Sequence, residues 1–193
     1  MVCGLALLAS GQAFATDYVS KSTPIVDDDL IDGTKWATGG SCAGSAVGGT
    51  IAMASTDTLT VCGGHSLNLT TAATLNVGLL LFDGGAWGGS VLRFSAGNKV
   101  LVNMSGATLT ITSLSLSAMT TGNTITITMD PVIFTSVTDK SLECPSGTAY
   151  TGGTTQIPAM ATCTVGAVVV PPSVSAPIFS TKEKPAVFSE EVK

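Results

Sequence analysis

Residues 58–77 read Thr-Leu-Thr-Val-Cys-Gly-Gly-His-Ser-Leu-Asn-Leu-Thr-Thr-Ala-Ala-Thr-Leu-Asn-Val. Three short runs lie within this stretch: Thr58 to Val61, Ser66 to Leu69 and Thr74 to Val77, each starting eight residues after the last. In each run an apolar residue alternates with a small polar one. Period two puts Leu and Val on one face of a strand and Thr, Ser and Asn on the other. Threonine suits the polar face because its branched Cβ packs well on a pleated surface. Gly63-Gly64 breaks the first run from the second, as a turn should.

The pattern continues outward. Val91 to Phe94, Lys99 to Met104, Thr108 to Ile111, Ser113 to Leu116 and Thr124 to Met129 alternate in the same way. Gly84-Gly85, Gly88-Gly89, Gly97-Asn98, Gly106 and Gly122-Asn123 punctuate them. Beyond the first fifteen residues no segment carries a helical period with caps. The expected fold class is therefore all-β, a disulfide-stapled sandwich or barrel-like domain with a β-solenoid as the alternative. The eight-residue recurrence lapses after Thr74, so it does not by itself define a regular solenoid.

Composition limits the function. Of the 193 residues 11% are charged and the net charge is −5; a nucleic-acid binder needs a basic surface instead. The charge is uneven. Asp17 to Lys35 and Lys182 to Lys193 are rich in it, whereas Trp36 to Thr138 carry only Asp57, Asp83, Arg93, Lys99 and Asp130. We divide the chain accordingly into residues 1–15, an acidic N-terminal arm at 16–35, a β-rich body at 36–170 and a Pro-containing C-terminal arm at 171–193.

Residues 1–15 read as the later part of a secretory signal peptide, with an apolar core and Ala13-Phe-Ala15 as cleavage pattern. The basic segment of such a leader is missing, which places its expected start further upstream. No later segment approaches the ~18 apolar residues of a membrane span. Four cysteines follow the leader: Cys42, Cys62, Cys144 and Cys163. An even count in an exported chain implies two disulfides. Sequence permits three pairings; we favour Cys42–Cys62 and Cys144–Cys163, which close short loops of nearly equal length.

Candidate chemistry is sparse. His65, the one histidine after the leader, sits in a glycine turn, and no GxSxG nucleophile elbow accompanies it. An enzyme is not expected. Asp27, Asp28, Asp29 and Asp32 with Gly33 are weak calcium candidates, because clustered carboxylates at a glycine turn suit that ion, but the EF-hand spacing fails. A solvated acidic linker is the simpler reading, so no cofactor is expected. Asn68-Leu-Thr70 and Asn103-Met-Ser105 are formal N-glycosylation sequons. Trp87, in a run of glycines, is a candidate surface-binding residue.

The ends carry apolar residues that a solvated tail would lack: Tyr18, Val19, Ile25 and Val26, then Ile178, Phe179, Val187 and Phe188. They are candidate subunit contacts, suited to strand addition onto a neighbouring copy. These features lead to an exported structural protein that self-assembles into an extracellular filament, pilus-like fibre or surface layer, secreted or held at the cell surface, with the periplasm also compatible. The alternative is an adhesin or carbohydrate-binding module with a glycan or surface ligand. Ice binding by Thr-x-Thr arrays and an outer-membrane barrel are weaker readings. The expected partner is the chain itself, not nucleic acid, and no membrane span is expected.

Overall fold

The computed structural model describes residues 15–40, 42–70, 73–145, 149–150, 155–157 and 161–168. These residues wind into a β-solenoid. Its first turn opens with β1 (Asp17–Ser20), and β2 (Trp36–Thr38) folds back antiparallel beside it. The second turn carries β3 (Thr58–Cys62) and β4 (Ser66–Leu67). The third carries β5 (Leu79–Asp83), β6 (Ala86–Trp87) and β7 (Leu92–Arg93). The fourth carries β8 (Lys99–Asn103), β9 (Leu109–Ile111) and β10 (Leu114–Ser115), and the fifth β11 (Thr124–Met129), β12 (Val132–Phe134) and β13 (Val137–Thr138). The chain then reverses. β14 (Lys140–Glu143), β15 (Ala149–Tyr150), β16 (Thr155–Ile157) and β17 (Thr162–Val168) pair antiparallel with their neighbours.

One large sheet runs β15-β14-β17-β11-β8-β5-β3-β1-β2, and the four pairings from β1 to β11 are all parallel. Smaller sheets, β4-β6, β9-β12-β16 and β7-β10-β13, form the other sides. In the large sheet Thr58 pairs with Leu79, Leu79 with Val100 and Val100 with Thr126, so successive turns take 21, 21 and 26 residues. In-register parallel pairing stacks like on like. Tyr18, Leu59, Leu80, Leu101 and Ile127 form one buried file inside the coil. Leu92, Leu114 and Val137 form another on a different side. Each fully buried Leu contributes roughly 1.5–3 kcal/mol of transfer free energy. The sandwich-or-barrel expectation thus gives way to the solenoid alternative, because parallel strands recur turn by turn.

The expected N-terminal arm is also corrected. β1 lies inside the large sheet, between β2 and β3. Tyr18, Val19 and Ile25 are buried within their own chain, and of the four N-terminal contact candidates only Val26 is exposed. Position 36 is not a boundary either, since Trp36 pairs with Ser20 and its indole N–H donates to the Asp29 carbonyl at 2.7 Å. Asp27, Asp28 and Asp29 lie in a 3-10 turn, Asp27–Ile31, where Asp29 accepts the Val26 N–H, and Asp32 caps the next, Gly33–Lys35, by accepting the Thr34 N–H. Gly33 is needed there: a Cβ would stand 2.4 Å from the Gly48 carbonyl oxygen. Most of the leader and the whole C-terminal arm, with Ile178, Phe179, Val187 and Phe188, lie outside the described residues.

Both expected disulfides form, one at each end of the stack. Cys42–Cys62 ties the loop after β2 to β3, and Cys144–Cys163 ties the segment after β14 to β17. Antiparallel strands and a cross-link therefore flank the large sheet toward each end.

Candidate interaction surface

The alternation that turns Leu59, Leu80, Leu101 and Ile127 inward turns their neighbours outward. Two rows cross the large sheet: Thr58, Leu79, Val100 and Thr126, then Thr60, Leu81, Val102 and Thr128. All are partly exposed except Thr60, which is buried. β17 extends the face with exposed Thr162 and Thr164, and Thr126 and Thr162 share a hydrogen bond between hydroxyls at 3.0 Å. None of these ten side chains carries a charge. Asp17 and Asp83 stand at the strand ends, at the margin of the face.

Other charged and amide side chains hold the turns of the coil together. Lys99 is 1% exposed; its ammonium donates to the Val77 carbonyl at 2.8 Å and to Ser95 Oγ at 3.1 Å. Burial pushes its pKa below the ordinary lysine value. Asn103 is fully buried; Nδ2 donates to the Ala107 and Pro131 carbonyls at 2.8 and 3.0 Å, and Oδ1 accepts from Ser105. The Asp57 carboxylate accepts the backbone N–H groups of Thr16 and Ala54. The Lys140 ammonium donates to the carbonyls of Leu116, Ser117 and Met119. Ser115 links Arg93 to Asp139 across adjacent turns. Each group closes a turn or joins two turns.

The candidate ligands serve the same end. Asp27 accepts from the Thr70 N–H and hydroxyl, and Asp29 from the Val26 N–H while pairing with Lys35 at 3.7 Å. Asp32 accepts from Thr34, whose hydroxyl and N–H hold its carboxyl below the usual carboxylate range. Asp28 is exposed. Among the described residues no group of three or more His, Cys, Asp or Glu is arranged to hold a metal ion. His65 Nδ1 lies 2.8 Å from Ser20 Oγ, which also accepts the Cys62 N–H. Ser20 is fully buried, so this pair ties β1 to β3 and presents no accessible nucleophile.

Trp87 is not held out on a loop. It belongs to β6, in register with Leu67, and packs against the core with its indole nitrogen buried. The side chain remains half-buried, with part of its surface open to solvent. The Asn103 sequon is closed by burial of its amide. An apolar cavity of about 220 Å³ lies near the N-terminal end, between Leu30, Ile31, Ile51, Met53 and Leu75.

The outward aliphatic residues Leu79, Leu81, Val100 and Val102 were not among the sequence candidates. Their signal was present: Leu79 to Phe82 and Val100 to Val102 are apolar at both parities. A strand that is apolar on both faces is usually covered on both. No family model, curated protein or solved structure matches this chain.

Proposed function

We propose that this chain is an exported structural protein, a self-assembling subunit of an extracellular filament or surface layer. One observation carries the reading: an uncharged, partly aliphatic face on a solenoid whose large sheet carries a disulfide toward each end. Unpaired charge is costly in a contact between subunits, and this face has none. The two disulfides fit a compartment outside the reducing cytoplasm. Among the described residues no helix is long and apolar enough to cross a membrane.

The route of assembly differs from strand addition by the N-terminal segment. Withdrawing β1 would uncover β3 and empty the positions of Tyr18 and Val19, so donating it would dismantle the first turn. Lateral packing of sheet faces requires no such exchange. Light scattering and negative-stain microscopy of the purified, oxidised protein should reveal large assemblies. A monomer at every concentration overturns the reading.

A further inference from the structure

We infer that two copies of this chain pair face to face, about a two-fold axis, through the outer surface of the large sheet. The inference rests on the self-assembly reading and names its contact. The central residues are Leu79, Leu81, Val100 and Val102, with Thr58, Thr126 and Thr128 beside them.

A two-fold contact requires a patch complementary to itself. Across the four strands β3, β5, β8 and β11 the outward residues run Thr, Leu, Val, Thr. This order is symmetric in character about its centre. An axis in the plane of the face and along the strands sets Leu on Val; one along the stack sets Leu on Leu and Val on Val. The first also sets Thr58 on Thr126, while Thr60, buried within its own chain, takes no part. A threonine hydroxyl both donates and accepts, so such pairs can satisfy one another. Two sheets packed this way sit ~10 Å apart with interleaved side chains.

Charge favours a second copy as occupant. The whole chain carries −5, so copies repel over most orientations. The uncharged face is where two copies meet without burying a carboxylate, and Asp17 and Asp83 remain at its rim. Area sets the strength. Four strands ~4.8 Å apart and about five residues long cover roughly 300 Å² in projection. That is below the ~800 Å² per partner of a stable complex. The pair is therefore weak and concentration-dependent.

Sedimentation velocity of the full, disulfide-intact chain over a concentration series tests this. The double variant Leu81→Lys/Val102→Lys places charge on the face; Thr110→Lys, on the exposed side of β9, is the control. Wild type and control should associate with rising concentration, and the double variant should need at least tenfold more protein. Should the lysine pair fail to fold, Leu81→Thr/Val102→Thr removes the aliphatic centre with strand-compatible residues and should shift association in the same direction. If a folded face variant associates as wild type does, the contact lies elsewhere and self-assembly stands. If wild type stays monomeric while binding glycan or an apolar peptide through this face, both the pairing and the self-assembly reading fall.

Discussion

Leu80 of β5 and Leu101 of β8 stand in register one turn apart, both fully buried. Each is also a neighbour in the file that includes Leu59 and Ile127. Truncating either to Ala should cost about 2–5 kcal/mol, because the cavity is walled by strands on both sides and cannot collapse. The double variant should be non-additive, since the two side chains share one space. Leu81, one residue along and facing out, should lose much less on the same truncation. Urea melts of Leu80→Ala and Leu81→Ala compare the two directly. Equal losses would contradict the inward and outward alternation.

The disulfides close loops of sequence separation 20 and 19 at opposite ends of the stack. Replacing either cysteine pair by serine should remove roughly 3 kcal/mol, chiefly by freeing the unfolded chain. Because the ends share no partners, the two losses should add. Hydrogen exchange should locate the first variant's loosening near β2 and β3 and the second's near β14 and β17. A uniform loss of protection in either variant would show that the caps are not independent units.

Most strands were legible because alternation is a local property. The runs starting at Thr58, Ser66 and Thr74 mark three sides of a single turn: β3, β4 and the residue Leu75, which bridges to Phe94. Their eight-residue spacing was visible, but it is the spacing between sides and not the repeat. The repeat joins Leu59 to Leu80, Leu101 and Ile127, and its unequal turns hide it, since only apolar character recurs. The first strand was illegible for a different reason. Asp17 to Ser20 is too short to show alternation, its parallel partner is the distant β3, and the acidic residues after it resemble a solvated arm. Those carboxylates instead cap nearby N–H groups. The outward face was legible only in the double parity of Leu79 to Phe82 and of Val100 to Val102, which a search for alternation passes over.

Asn103 interrupts an apolar inward file, since it stacks on Phe82. Its amide satisfies two carbonyls across the turn between β8 and β9 and at Pro131. Asn103→Leu would have similar bulk but leave those carbonyls without this donor. The expected loss is about 1–3 kcal/mol per buried group left unpaired. Asn103→Asp should be at least as damaging, because it substitutes a carboxylate for the donor. Thermal melts of both variants check this. Mass spectrometry of protein exported from a glycosylating host should find Asn103 unmodified in the folded product.

Lys99 is an inward cation held by a carbonyl and a hydroxyl, without a carboxylate bonded to its ammonium among the described residues. Its folded pKa is lowered from the ordinary 10.5 by burial, which fixes the sign of its pH dependence. Between the lowered value and 10.5 the unfolded chain binds more protons than the folded one, so this group makes stability rise with pH. Below the lowered value both states are protonated, and the desolvation penalty is fully present and constant. Lys99→Met keeps the aliphatic length and removes the titrating group. At neutral pH it gains by losing the buried charge, an advantage offset by about 1–3 kcal/mol for the Val77 carbonyl left without this donor. The advantage should shrink as the pH approaches 10.5. Urea midpoints of the two proteins, taken as a difference at each pH, cancel the other lysines. A difference that stays flat across the alkaline range would show that Lys99 titrates normally and that its burial carries no electrostatic penalty.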